Sequence, residues 1–292
     1  MIRRALKKLA KHPTQLISAI ANDPVEVWIR IHERYDERRE RQTPIFSYEA
    51  DGDWERHLHE LLGIPWPCNA TAEFDDLWPI VIEAMRESGI RVGPMSFGTW
   101  NDGDAGLVRA IWCLTAHLKP QNVIETGVGH GLTSRFVLEG LERQRAGHLW
   151  SIDLPPLDPD LKQQVGVAVG KNQRARWTYI EGSSRRRLQP LLSKVDPLNL
   201  FIHDSLHSER NVRFEMDRAW ANLKPGGAIV VDDIDANWGF HSFGKAHTGH
   251  RSLICESEPL HPDLRRPNKK GFFGIVLKDR AEIPAISNPS RV

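Results

Sequence analysis

Residues 123–134 read VIETGVGHGLTS. A short apolar run ends in three glycines at alternate positions, Gly127, Gly129 and Gly131, and leads directly into the helical pattern LTSRFVLEGLERQR. Glycine at such a junction permits positive φ and lets a ligand approach bare backbone beside a helix N-terminus, where unpaired amides point outward. Strand, glycine turn and helix are the first half of a crossover unit, so the flanking sequence should alternate in the same way. A tight strand-to-helix turn with no ligand would use the same residues.

The alternation is present downstream. NVIETG, HLWSIDL, RWTYIEG, LNLFIHD and AIVVDD are short strand-like runs separated by helical stretches, which predicts parallel strands joined by crossovers. RSLICES and GFFGIVLK are instead separated by a polar, proline-containing loop, which reads as a hairpin and so as an antiparallel strand at the sheet edge. Upstream, VEVWIRIHERYDERRERQ, WERHLHELLGI and LWPIVIEAMRESGI carry helical spacing. The chain therefore divides into a helical N-terminal extension or cap over residues 1–100, an α/β domain over 101–280 and a tail over 281–292.

Composition narrows the partners. Lys plus Arg number 39 against 38 for Asp plus Glu, so no global basic field favours nucleic acid and a small molecule is the default ligand. No apolar run is long enough for a transmembrane helix. Cys68, Cys113 and Cys255 lie far apart in sequence, fit neither a disulfide framework nor a zinc knuckle, and read as buried thiols in a reducing cytoplasm. MIRRALKKLAKHPTQLISAIA is basic and amphipathic; a solvated or homo-oligomer-contact helix and an anionic membrane surface both fit it.

The dinucleotide fingerprint G-x-G-x-x-G would place its third glycine at Leu132. The spacing is E-x-G-x-G-x-G, which resembles motif I of the class I S-adenosylmethionine-dependent methyltransferases. NLKPGGAIVVDD, residues 222–233, resembles that family's later signature, a Pro-Gly-Gly turn feeding a buried strand. The resemblance implies a Rossmann-like, doubly wound α/β sheet of order 3-2-1-4-5-7-6 with the last strand antiparallel. It implies that Glu125 serves the methionine end of the cofactor, that Gly127, Gly129 and Gly131 line it, that Asp153 holds its ribose, and that Gly182 and Ser183 flank its adenine. A carboxylate ending the second strand can accept both ribose hydroxyls, although a helix cap or a solvated acid would also be an Asp there.

FIHDSLHSERN, residues 201–211, ends an apolar run in Asp204 and places His207 three positions on, ahead of a helix that Ser205 or Ser208 can cap. In the implied strand order, Asp204 and the pair Asp232–Asp233 end neighbouring strands on one rim. Like charges so close are disfavoured unless a cation neutralises them, and hard oxygen ligands suit Mg²⁺ or another divalent ion. This arrangement resembles the metal-dependent sugar and small-molecule O-methyltransferases of the macrocin type. The resemblance implies Asp204, Asp232 and Asp233 as metal ligands and His207 as the base.

The segment 234–250, with Trp238, Phe240, His241 and Phe243, reads as an acceptor loop, although its Trp and Phe would as easily anchor it to the core, and its His247 and His250 read as ordinary loop residues. Arg185, Arg186 and Arg187 form either an anion grip or a solvated helix face. The reading is a cytoplasmic O-methyltransferase for a hydroxyl of a sugar or other small natural product. Its rivals are an NAD-dependent oxidoreductase or epimerase, against which Leu132 and the lack of a Tyr-x-x-x-Lys pair count, and a non-catalytic binding subunit on the same scaffold.

Overall fold

A computed structural model describes residues 13–40, 47–87, 103–258 and 271–280. The basic run at Arg3–Lys11, most of the segment 92–104 and the tail 281–292 lie outside them. The described helices are α1 (Pro13–Asn22), α2 (Pro24–Glu40), α3 (Trp54–Leu62), α4 (Asn69–Glu87), α5 (Ala105–Leu118), α6 (Leu132–Arg143), α7 (Pro159–Gln163), α8 (Ser184–Leu192), α9 (Glu209–Asn222) and α10 (Gly239–Ala246). The strands are β1 (Asn122–Thr126), β2 (His148–Asp153), β3 (Trp177–Glu181), β4 (Leu198–His203), β5 (Leu223–Val231), β6 (His250–Glu256) and β7 (Phe272–Lys278).

They form one sheet of order β3-β2-β1-β4-β5-β7-β6. The first five pair in parallel, and β7 runs antiparallel to both β5 and β6. The antiparallel strand is thus one position in from the edge, and β6 closes the sheet. The sequence carries the reason: FFGIVLK is buried along almost its whole length, whereas HRSLICE opens with exposed polar residues suited to an edge.

Strand alternation divides the core in two. Val123, Leu200, Ile202, Ala228, Val230 and Ile275 face one side, where Trp54, Leu58, Phe74, Trp112 and Phe136 of α3 to α6 cover them. Ile124, Phe201, Ile229, Val231 and Val276 face the other, under Leu188, Val212, Met216 and Phe243 of α8 to α10. Period-two side chains and helices on both faces are what a central parallel sheet requires. Helices α3 and α4, although N-terminal to the α/β segment, belong to the first cluster, and the indole Nε1 of Trp112 donates to the Ala70 carbonyl at 2.7 Å.

Two sequence readings change. The segment 234–250 is not wholly loop, because Gly239–Ala246 is helical and buries Phe240 and Phe243 in the core rather than offering them to an acceptor. The cysteines are not all isolated: Cys68, at the start of α4, and Cys113, on α5, come together beside His59, because α4 packs along α5.

Phe136 on α6 is fully buried with Phe74, Trp78 and Trp112 around its ring at centroid distances of 5.2–6.1 Å. Phe136→Ala is expected to lower stability by about 3–5 kcal/mol in denaturant unfolding, the usual cost of an aromatic cavity in a close-packed core.

Candidate functional site

Strands β1, β4 and β5 end in step: Thr126 pairs with His203, and His203 with Val231. The ladder continues one residue further through Asp204 N to Thr126 O at 2.8 Å and Asp232 N to His203 O at 2.9 Å. Gly127, Asp204 and Asp232 therefore stand side by side on the carboxyl rim. Gly127 has φ +85°, and a Cβ there would lie 1.8 Å from the Asp204 carbonyl oxygen. The first glycine of the turn is thus demanded by the neighbouring acid-bearing strand end as well as by any ligand.

On this rim one donor atom each from Asp204, His207 and Asp232 lies within 4.8 Å of the others. His207 is in the loop before α9, whose N-cap is Ser208, its Oγ accepting from Asn211 N at 3.2 Å. The imidazole is held between two acids: Nδ1 is 2.9 Å from Asp233 Oδ2 and Nε2 is 3.7 Å from Asp204 Oδ1. Asp233 reaches back to His207 from a left-handed backbone, φ 48°, a conformation that a short polar residue tolerates better than most.

The acids oppose one another electrically. The protein packed around Asp204 holds its carboxyl well above the ordinary range, and the charge of Asp233 adds to this; burial, then Asp233 and Asp204, raise Asp232 likewise. Asp204 nevertheless exposes 37% of its side chain, so the recess is open on one side. Clustered carboxylate oxygens with an open approach fit a hard divalent cation, and Asp204 and Asp232, with His207, are the residues that could hold one.

Beneath the rim lies a network that sequence reasoning did not find. Glu215 on α9 and His203 at the end of β4 are both fully buried, with His203 Nδ1 2.6 Å from Glu215 Oε2. Thr126 donates to the same oxygen at 2.5 Å, and Ser205 and Asn211 donate to Oε1, each at 2.9 Å. Burial alone would raise the Glu215 carboxyl, but charge on His203 and hydrogen bonds from His203, Ser184 and Thr126 hold it at about 2. The network ties β1, β4, the Asp204 loop and α9 together, and its sequence trace is confined to Thr126 and His203 at the ends of apolar strand runs, since Glu215 stands among the other charges of α9.

The other half of the rim carries the cofactor candidates. Asp153 ends β2, nearly buried, with one carboxylate oxygen held by the Val128 and Leu154 amides. Burial pushes it up to about 6, against those amides and the nearby Arg30 guanidinium. Gly182 and Ser183 follow β3, with Gly182 N donating to the Asp153 carbonyl at 2.8 Å. Gly129 and Gly131 both have positive φ, and the Gly129 carbonyl accepts from Gly166 N at 3.0 Å. Glu125 sits lower, fully buried inside β1, where Ser134 and Ser151 donate to its Oε2 at 2.5 and 2.7 Å and burial raises it to about 7. It joins β1 to α6 and β2 beneath the glycine turn. From Ser183 to Asp232 the row crosses five strand ends, about 19 Å at the usual strand spacing.

Helix α2 roofs this row. Ser183 N donates to Glu26 Oε1 at 2.8 Å, Arg30 to the Pro155 carbonyl at 2.9 Å, and Glu209 N to Glu40 Oε2 at 2.5 Å. Glu26 and Glu33 are mostly buried against the rim, while Trp28 and Tyr35 are exposed. The helix is amphipathic the wrong way round, charges inward, and the spacing of residues 26, 30 and 33 was the available sign. The arginines of α8 serve the same junction: Arg186 pairs with Asp23 and Glu26, Arg185 donates to the Arg210 carbonyl and covers Phe214, and Arg187 donates to the Glu181 carbonyl. His247 pairs with Asp217 at 2.9 Å and His250 begins β6, so both belong to the α9 side of the fold.

Residues 124–234 match the family model described as a methyltransferase domain. Curated protein sequences give no match. Among solved structures, a protein assigned as an O-methyltransferase from Klebsiella pneumoniae superposes with a TM-score of 0.51 at 14% identity, over 77% of this chain and 96% of that one. An O-methyltransferase from Bacillus cereus, solved in complex with SAH, also gives 0.51, at 13% identity over 77% of this chain and 97% of its own. These likenesses establish the fold, and the match over residues 124–234 places a methyltransferase domain within the α/β part of the chain.

Glu215→Gln tests the buried network. Because the folded pKa is depressed, its contribution is present above about 4.5 and lost as pH falls toward about 2, so the variant should have a flatter acid limb in unfolding between those values. Gly127→Ala should lower both melting temperature and activity, since the Asp204 backbone must shift to admit the methyl group.

Proposed function

We propose that the chain transfers the methyl group of S-adenosylmethionine to a hydroxyl of a sugar or other small natural product, assisted by a divalent cation such as Mg²⁺. The observation that carries this reading is the convergence of Asp204, His207, Asp232 and Asp233 beside the glycine turn. Bound along the other strand ends, the cofactor would have its ribose held by Asp153, its adenine flanked by Gly182 and Ser183 and its length lined by Gly127, Gly129 and Gly131, with Glu125 supporting the turn.

A carboxylate can only accept, so the contact with ionised Asp233 makes His207 Nδ1 the protonated nitrogen and leaves Nε2 as the base. Nε2 would take the acceptor hydroxyl proton, and S-adenosylmethionine, when bound, would supply the methyl group, the electron pair of its carbon–sulfur bond staying on sulfur as the oxygen–carbon bond forms. The sulfonium brings its own activation, so the remaining task is alignment of oxygen, carbon and sulfur. A cation held by Asp204 and Asp232, with Asp233 near, would stabilise the developing alkoxide and neutralise the acids. Grouping of His207 with Asp204 and Asp232 also favours a second reading, in which His207 is the third ligand.

Helix α2 is the cover of the cofactor site, and its outward Ile31, Trp28 and Tyr35, with Ile17 and Ile20 of α1, make the cap the place for a homo-oligomer contact. No helix of the described residues is long and apolar enough to cross a membrane. Three cysteines, too few and too scattered in sequence for a disulfide framework, support a cytoplasmic setting.

Calorimetric titration with S-adenosylhomocysteine and with NAD, each with Mg²⁺ or EDTA, should show binding of the former only. Asp153→Asn is expected to weaken that binding about tenfold, the cost of one good charged hydrogen bond. His207→Ala should bind the nucleoside normally and lose about 10²- to 10⁴-fold in turnover with an accepted substrate. Retained Mg²⁺ affinity in that variant supports the base, and lost affinity the ligand. Wild-type turnover in His207→Ala contradicts both, and no turnover by the wild type across a broad acceptor panel favours a binding subunit.

A further inference from the structure

The second cluster of metal-competent side chains lies away from the rim, in the cap. His59 on α3, Cys68 at the start of α4, and Cys113 and His117 on α5 converge. His59 Nε2 is 3.0 Å and His117 Nε2 3.3 Å from Cys68 Sγ, while donor atoms of His59, Cys68 and Cys113 all lie within 4.8 Å of one another. Cys113 and His117 are four apart on one helix and so share a face.

We propose that these four residues form a tetrahedral zinc site that staples the cap to the methyltransferase domain. Metal–nitrogen and metal–sulfur distances of about 2.1 and 2.3 Å at a tetrahedral angle put nitrogen and sulfur about 3.6 Å apart. The observed separations, 3.3 Å for His117 and 3.0 Å for His59, are shorter than that by about 0.3 and 0.6 Å, so a small outward shift of the His59 ring would admit the ion. Two thiolates and two imidazoles are the donor set that selects zinc, and the two thiolate charges cancel those of the ion.

The surroundings are those of a built site. His59 and Cys113 are both fully buried. The Glu55 carbonyl, 2.6 Å from His59 Nδ1, can only accept, so it fixes the proton on Nδ1 and turns the Nε2 lone pair toward Cys68. Thr71 Oγ1 lies 3.7 Å from Cys68 Sγ and its backbone amide donates to the same sulfur, while the Trp66 ring packs 4.8 Å from that of His59. A buried histidine whose tautomer is locked by a carbonyl and whose other nitrogen faces a cysteine is arranged as a zinc ligand is. The site would pin α3, the 63–68 turn and α4 to α5, through which the first core cluster is continuous.

The test uses the full chain, purified reduced and without a polyhistidine tag, loaded with zinc and dialysed. Elemental analysis should find zinc at about one per chain, and replacement by Co²⁺ should give thiolate-to-cobalt charge-transfer absorption, which carboxylate ligands at the rim cannot produce. Cys68→Ser and His117→Gln, both at partly exposed positions, should lose that zinc and that absorption, whereas Asp232→Asn should retain both. EDTA should lower the melting temperature of the wild type and leave that of Cys68→Ser unchanged. Zinc in the wild type no higher than in Cys68→Ser, cobalt without thiolate absorption, or a Cys68–Cys113 disulfide in the chain as isolated would overturn the proposal.

Discussion

The closeness of β1 to β4 at the carboxyl rim governs the site. Gly127 has no room for a side chain because the Asp204 carbonyl occupies that space. This contact joins the two halves of the proposed site, since the glycine turn and the loop that carries Asp204 and His207 are packed against each other. Parallel pairing in register then brings Asp232 to the same level one strand further on. Below, Glu215 holds Thr126, His203, Ser205 and Asn211 at once, so the positions of both strand ends depend on one buried carboxylate. Removing one partner of such a buried pair commonly costs about 3–5 kcal/mol, because the other charge is left uncompensated.

The two ends of the rim differ in their electrical design. At the Asp153 end a single acid is nearly buried and partly compensated by two amides and by Arg30. At the Asp204 end acids raise one another, which is unfavourable by itself and becomes favourable when positive charge is supplied. An arrangement that is costly without its ligand belongs to function more readily than to stability. Helix α2 follows the same logic, placing Glu26, Arg30 and Glu33 against the rim while its aromatic residues face outward.

Much of this was legible in the sequence because it depends on neighbours along the chain. Strand periodicity, the E-x-G-x-G-x-G turn and acids at strand ends are local signals, and parallel order converts them into a common rim. What depended on long-range packing was not legible. The Glu215–His203 pair joins residues 12 apart on different elements, and the cysteine–histidine cluster draws from three helices, so the wide spacing of the cysteines concealed it. Only Cys113 and His117 carried a local trace, the four-residue step of a helix. The aromatic segment 234–250 left two readings open for a different reason: composition does not reveal which way a ring points, and Phe240 and Phe243 take the core-anchoring one.

The account rests on the rim acids and His207 acting together on an acceptor hydroxyl beside the sulfonium. The most direct measurement is a crystal structure of the chain with S-adenosylhomocysteine and Mn²⁺, the metal located by its anomalous signal. The account predicts a peak about 2.2 Å from carboxylate oxygens of both Asp204 and Asp232, with the sulfur of the bound nucleoside turned toward it and the ribose at Asp153. A nucleoside bound elsewhere, or a rim with no metal peak at saturating Mn²⁺, would contradict it.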